Sequence, residues 1–269
     1  MKTIRILLIG DVVGNLGCAV FQKHIDSLRK QFKIDGVIVN GENSSPRGRG
    51  ITSKIVNFFK HNGANVITSG NHIWADKEIY SYIDQHDDLL RPANFPADVP
   101  GPGFTTFNCA GIEVGVINLQ GRIFMQQQLD DPLRIADTIL TYLKQKTKVI
   151  LVDFHAETTA EKIGIAHYLD GRVSCVVGTH THVQTADERI LPKGTAFITD
   201  LGMCGSYNSM IGMKKDIILY NMKTQMPAKY EVDNEPPAIM SGVWVEVDTY
   251  SGKALQIERF RIIDEEIKV

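Results

Sequence analysis

Apolar residues in the first two thirds of the chain follow two alternating patterns: short, nearly unbroken runs, and stretches that repeat every three or four positions. Residues 4–9 form a mostly apolar run that ends in Gly10-Asp11. Val20, Phe21, Ile25, Leu28 and Phe32 then recur at the spacing of a helix's buried face. The alternation repeats. A short strand at 37–39 ends in Asn-Gly-Glu-Asn and precedes a helix marked by Ile55, Val56, Phe58 and Phe59. Another strand at 66–68 leads into Ser-Gly-Asn-His and precedes a helix marked by Ile79, Tyr82 and Ile83. Residues 91–106 are rich in Pro and Gly and read as a loop. Beyond them, strands are expected at 114–119 and 149–154, with a helix over 131–145 between them. Thr158-Thr-Ala-Glu161 has capping-box spacing and opens a helix that runs to Leu169. After a strand at 173–177, residues 217–222, 243–247 and 254–263 all read as strands. The last two are joined by a turn at Tyr250-Ser-Gly-Lys253, so the C-terminal third is expected to be mostly β. With no repeat, low-complexity tract or linker, the expected organisation is α/β: one domain over 1–269, with two stacked sheets and helices outside.

The bulk properties narrow the class. No stretch approaches the roughly 20 apolar residues of a membrane span, and no long apolar core precedes a cleavage site near the start, so neither a membrane anchor nor a signal peptide is expected. Cys18, Cys109, Cys175 and Cys204 are far apart and form no Cys-x-x-Cys pair. That disfavours a zinc knuckle or disulfide scaffold and fits a reducing cytoplasm. The net charge of −2 disfavours non-specific nucleic-acid binding as the main activity.

The candidate chemistry lies in four short segments: Gly10-Asp11, Gly41-Glu42-Asn43, Gly70-Asn71-His72 and Gly178-Thr-His180-Thr-His182. A lone His155 falls between the third and the fourth. Each segment follows an apolar run, and His155 closes one. They therefore belong where strands give way to loops, the edge at which open α/β sheets bind ligands. Carboxylates, an amide and imidazoles arriving there together suggest two hard-to-borderline metal ions, an arrangement suited to phosphoester hydrolysis.

Each residue also has a plainer reading. Asp11 could cap the helix that follows it. Glu42 can bridge two cations and Asn43 can offer a carbonyl, yet Asn-Gly also favours an exposed turn. Asn71 could be a left-handed turn residue with His72 on the surface. His180 and His182, two apart, would project to one side of an extended backbone and form the strongest local signal. His24, His61, His86 and His167 fall in helical segments and read as solvated or packed. Arg47-Gly-Arg49-Gly could meet a substrate phosphate or could be a solvated loop. Neither a Gly-x-Gly-x-x-Gly loop nor a Gly-Lys-Ser/Thr phosphate loop is present.

Together these residues resemble the calcineurin-like metallophosphoesterase superfamily, whose pattern runs Asp-x-His, Gly-Asp, Gly-Asn-His, a lone His, then Gly-His-x-His. Val13 stands where the first His would be, Glu42 replaces the bridging Asp, and Thr179 enters the last motif. Those departures match a YmdB-like bacterial family of 2′,3′-cyclic-nucleotide phosphodiesterases. The match continues through Asp153-Phe-His-Ala-Glu157, Tyr168-Leu-Asp-Gly-Arg172, Ile198-Thr-Asp-Leu-Gly-Met203 and Thr224-Gln-Met-Pro227.

The resemblance implies an α/β/β/α sandwich of two stacked mixed sheets flanked by helices. It implies one metal on Asp11, Glu42, Asn43 and His182, and a second on Glu42, Asn71, His155 and His180, with Glu42 bridging. Iron is the implied metal, with manganese as a substitute. Hydroxide between the metals would attack phosphorus, and His72 would act as general acid on the departing ribose oxygen. The implied substrate is a small phosphodiester, 2′,3′-cyclic AMP or GMP, with Trp74 and Phe124 as candidate base contacts and a homo-oligomer as the assembly. Two rival readings are a phosphomonoesterase or protein phosphatase on the same site, and a metal-dependent regulatory RNA-binding protein.

Overall fold

The computed structural model describes residues 2–267. Its strands are β1 (Thr3–Ile9), β2 (Asp11–Val12), β3 (Gly36–Asn40), β4 (Val66–Thr68), β5 (Phe104–Cys109), β6 (Ile112–Gln120), β7 (Val149–His155), β8 (Cys175–Thr179), β9 (Arg189–Ile190), β10 (Ala196–Ile198), β11 (Met203–Ser206), β12 (Ala238–Asp248) and β13 (Ala254–Asp264). The helices are α1 (Gly14–Phe32), α2 (Ser53–His61), α3 (Ile79–Ile83), α4 (Pro132–Leu143), α5 (Thr159–Leu169) and α6 (Lys215–Thr224).

Seven strands form the first sheet, in the order β2-β11-β12-β1-β3-β4 with β13 on the free side of β12. Six form the second, in the order β5-β6-β7-β8-β10-β9. β1, β3 and β4 run parallel, as do β6, β7 and β8. β1 shows why the sheets stack. Ile4, Ile6 and Leu8 point into a core shared with Val114, Val116, Leu151 and Val177 of the second sheet. Leu7 and Ile9, on the opposite face, pack against Val20, Phe21 and Phe59 of α1 and α2. A strand buried on both faces must be apolar at nearly every position, which is how the run at 4–9 reads. A third core joins the outer face of the second sheet, through Val152 and Phe154, to Leu140, Ile165 and Leu169 of α4 and α5. The layers are therefore helix, sheet, sheet, helix, with both sheets mixed.

Three segments differ from the sequence expectation. Residues 217–222, expected as a strand, lie within α6, a surface helix with no buried residue. A four-residue apolar run fits either element. Here no ladder partner is present, and Asp216 in the first turn with Lys223 in the last suits the helix dipole. β5 begins inside the stretch read as a loop, because as a half-exposed strand it lacks a continuous apolar run. His86 follows α3 in a turn rather than in a helix.

Candidate metal centre

The parallel strands deliver their carboxyl ends to one edge. Asp11 follows β1, Glu42 and Asn43 follow β3, Asn71 and His72 follow β4, His155 ends β7, and His180 follows β8. The first three positions belong to the first sheet and the last two to the second, so the cluster spans the seam between them. Close approach requires glycine at two of these ends. A Cβ on Gly70 would lie 2.2 Å from the His155 ring, and one on Gly178 would lie 1.8 Å from the Thr199 carbonyl.

Four ligand-type atoms crowd one point. His155 Nε2 is 3.1 Å from Glu42 Oε1, 2.9 Å from Asn71 Oδ1 and 3.0 Å from His180 Nδ1. One proton on that nitrogen can serve only one of the three, whereas a cation can serve all four. Glu42, His155 and His180 form the one group of His, Cys, Asp or Glu among the described residues with metal-site spacing.

The ring orientations agree. Thr179 Oγ1 gives its proton to Asp153 Oδ1 at 2.7 Å, so at 3.0 Å it accepts from His155 Nδ1. That leaves Nε2 as the atom facing the cluster, where a cation could take the place of its proton. His180 presents Nδ1 inward while its Nε2 meets Glu157 Oε2 at 3.1 Å. His182 Nδ1 donates to the Ile211 carbonyl at 2.8 Å. Outer partners of this kind fix the tautomer of metal-binding histidines.

The other half is more open. Asp11 is fully buried in β2 and caps nothing, since Val13 is the residue before α1. Its Oδ2 accepts from the His180 backbone N–H, while its Oδ1 has no partner. A buried carboxylate oxygen without a donor is costly, and a cation would satisfy it. His182 Nε2 is 3.8 Å from that oxygen. Asn43 turns its NH2 toward His182 Nε2 (3.1 Å) and Glu42 Oε1 (3.2 Å), and its carbonyl accepts from His72 Nδ1 at 2.8 Å. To carry a cation through its oxygen, the Asn43 amide must turn over. Asn71, by contrast, already faces inward with oxygen. The donor set is rich in oxygen and imidazole and free of thiolate, which fits a hard-to-borderline divalent ion.

His180 and His182 do not sit in the extended backbone that their spacing suggests. Their φ values are 106° and 65°. For residues other than glycine such conformations cost on the order of 1 kcal/mol or more, so the turn needs support. Asp200 supplies it. Its Oδ2 accepts from Thr181 N (3.1 Å), from Thr181 Oγ1 (2.8 Å) and from the buried Lys162 ammonium (2.7 Å). Sequence reasoning misses Lys162, yet a signal exists: it shares the apolar stripe of α5 with Ile165, Ala166 and Leu169. Glu157 and Thr179 enter that reasoning only as parts of motifs.

The electrostatics follow the geometry. Burial disfavours the charged form of His155, but the Glu42 and Asp11 carboxylates prevail and lift its pKa to about 9. The proton answers the negative field that a cation would answer. Burial opposes ionisation of Glu42, yet His155 and His72 bring it well below the usual carboxylate range. Burial and the nearby His155 push His180 down to about 3, which keeps it neutral. Burial raises Asp11, and raises Asp153 to about 6. Trp74 packs edge-on against Tyr80 and Phe95. Phe124 is 86% exposed. It lies on the loop whose Gln127 reaches the Asn71 carbonyl at 3.3 Å.

Comparison with known proteins adds a lineage. A family model described as "YmdB-like protein" matches residues 7–260. The 2′,3′-cyclic-nucleotide 2′-phosphodiesterase of Bacillus subtilis (strain 168) is 47% identical over 262 residues, 97% of this chain and 98% of that one. The crystal structure of a hypothetical protein from Thermus thermophilus superposes with a TM-score of 0.90 at 36% identity, covering 97% of this chain and 100% of that one. That of a novel phosphatase from Mycoplasma pneumoniae gives 0.89 at 34%, covering 98% and 95%.

Proposed function

The chain belongs to the YmdB-like family, and from that premise we propose that this metal-dependent phosphodiesterase hydrolyses 2′,3′-cyclic nucleotides with two metal ions held at the seam of its sheets. The observation that carries this reading is the convergence of Glu42, Asn71 and His180 on His155 Nε2, within 3.1 Å, beside a buried Asp11 oxygen that has no partner.

In this reading one ion is held by Glu42, Asn71, His155 and His180, and the other by Asp11, Glu42, Asn43 and His182, with Glu42 shared. Iron or manganese fits the donor set. Two such ions lower the pKa of water to near neutrality and offset phosphoryl charge. The chain's own groups do the rest. Glu42 orients His72 by accepting from its backbone N–H at 3.1 Å. His72 Nδ1 lies 2.8 Å from the Asn43 amide oxygen here. Once that amide turns to hold an ion, its NH2 would face His72 Nδ1 and so keep the ring's proton on Nε2, facing substrate. From Nε2, His72 delivers a proton to the ribose oxygen as its bond to phosphorus breaks, a general-acid step that contributes about 10²–10⁴-fold. Phe124 offers an exposed ring to the base, and a single flat contact favours little selectivity between adenine and guanine.

No helix among the described residues is long and apolar enough to cross a membrane. The free cysteines fit a cytoplasmic enzyme. Among the described residues the outer side of β13, 11 residues long, pairs with no strand, which suits pairing in a homo-oligomer and is open to a sedimentation test. The assay that tests the activity compares 2′,3′-cyclic AMP and GMP with 3′,5′-cyclic AMP and a phosphomonoester at equal metal loading. The two 2′,3′ diesters should be cleaved at comparable rates and ahead of the others. A higher kcat/KM for the phosphomonoester would make the chain a phosphatase on the same site.

A further inference from the structure

A cavity of about 860 Å³ lies between loops that continue from the proposed metal centre, and its lining sets four cations, Arg47, Arg49, Lys214 and Lys229, against one carboxylate, Glu231, with Tyr230 and Met213. The two loops that wall it also serve the centre. Asn43 opens the loop that carries Arg47 and Arg49. Ile211, whose carbonyl holds His182 Nδ1, is two residues from Met213, a backbone reach of at most about 7 Å. Packing ties the loops together, since a Cβ on Gly48 would lie 2.6 Å from Val232 and 2.8 Å from Met213.

Two of the four cations are already engaged, Arg47 with Asp76 at 3.1 Å and Lys214 with Glu231 at 2.9 Å. Arg49 and Lys229 have no carboxylate within ion-pair distance among the described residues. A nucleoside 2′,3′-cyclic phosphate has one phosphate, and it is the one that reacts. Cations gathered in a separate cavity therefore call for a second phosphate. The volume is far larger than a phosphate needs and lies in the range of pockets that hold drug-sized ligands. Tyr230 is 40% exposed and offers a face on which a base can stack.

We propose that this cavity binds the nucleotide on the 5′ side of the cyclic phosphate, so that the enzyme acts on oligoribonucleotides ending in a 2′,3′-cyclic phosphate. This rests on the proposed phosphodiesterase reading and names its substrate class. The reaction is the same hydrolysis. The hydroxyl of water joins phosphorus, one ring P–O bond breaks, the proton goes to the freed ribose oxygen, and the oligonucleotide is left with a phosphomonoester end.

The test measures kcat/KM for adenosine 2′,3′-cyclic phosphate, for its 5′-phosphorylated form, and for the dinucleotide ApA with a terminal 2′,3′-cyclic phosphate. The expected order is dinucleotide first, by roughly tenfold or more over the unphosphorylated mononucleotide, a margin in keeping with charge-assisted contacts. In the variant Arg49→Ala/Lys229→Ala that ratio should collapse toward one, and in Tyr230→Ala it should fall only for the dinucleotide. If the 5′-phosphorylated mononucleotide matches the dinucleotide, the cavity reads a phosphate alone and the oligonucleotide proposal is overturned. Equal rates on all three, unaltered by the double variant, overturn the cavity's role while leaving the phosphodiesterase intact. No hydrolysis of any cyclic ester by metal-loaded protein would instead refute the activity on which the proposal rests.

Discussion

Asn71 meets the polar cluster with its carbonyl oxygen, 2.9 Å from His155 Nε2, while Asn43 meets it with its amide nitrogen and keeps its oxygen for His72. The contrast extends to the two halves of the centre. Around His155, three ligand atoms from the ends of both sheets stand within 3.1 Å of one nitrogen, before any adjustment. Around Asp11, the carboxylate and His182 remain 3.8 Å apart, and His182 is held by a loop carbonyl. Strand ends supply Glu42, Asn71 and His155 of the first half, with His180 from the turn after β8. The second half takes His182 from further along the same turn and relies on an amide that must rotate. Preorganisation of this kind separates tight from weak sites. In the proposed centre, the ion beside His155 is therefore the tighter of the two.

The largest effect should come from the residue common to both halves. Glu42→Ala is expected to lose both metals and nearly all hydrolysis, measured by metal analysis and turnover on 2′,3′-cyclic AMP. Full metal occupancy with normal turnover in that variant would remove Glu42 from its bridging place. His72→Ala should retain the metals and slow turnover by roughly 10²–10⁴-fold. The loss should shrink with a nitrophenyl ester, whose leaving group needs no proton. A parallel fall in metal content would instead make His72 a ligand.

The two asparagines sharpen the comparison further. Asn71→Ala should weaken metal binding, by about 10–100-fold if it behaves like other losses around a metal. Asn43→Ala should retain the ion beside His155, lose most of the more weakly held second ion, and lower kcat, because it also frees His72 from its partner. Retention of both ions in Asn43→Ala, read by calorimetric titration, would mean that the Asn43 amide does not turn over and serves His72 alone. The support beneath the histidine turn gives the smallest catalytic effect. Lys162→Met leaves Asp200 buried without its cation and should cost about 3–5 kcal/mol in urea unfolding. Adding Asp200→Asn should restore much of that stability. The turnover of the folded double variant should stay closer to the parent than that of His72→Ala does.

The strand ends are legible because a buried parallel strand writes itself as an apolar run, so the polar residue after it is located at once. Asp11, Glu42, Asn71 and His155 are all found this way. The positions that gather around His155 from β3, β4 and β7 are thus legible as strand ends. The rest depends on features that periodicity does not encode. The helix over Lys215–Thr224 reads as a strand because Ile217-Ile-Leu-Tyr220 is too short to choose between elements when no neighbour is known. The positive φ at His180 and His182 has no signature in residues that are not glycine. The facing atom of Asn43 is set by His72 and His182, far away in sequence. Lys162 alone among the supporting groups leaves a mark, as a charge on the apolar stripe of α5.

In the proposed centre, one cluster at the seam of two sheets holds two ions that share Glu42. A crystal of the protein loaded with manganese, with anomalous scattering recorded, tests it most directly. Two peaks about 3.5–4 Å apart are expected. Both should touch Glu42, one also touching Asn71, His155 and His180, and the other Asp11, Asn43 and His182, with the second peak the weaker. A single peak at His155 at saturating metal, or two peaks without Glu42 between them, would contradict it.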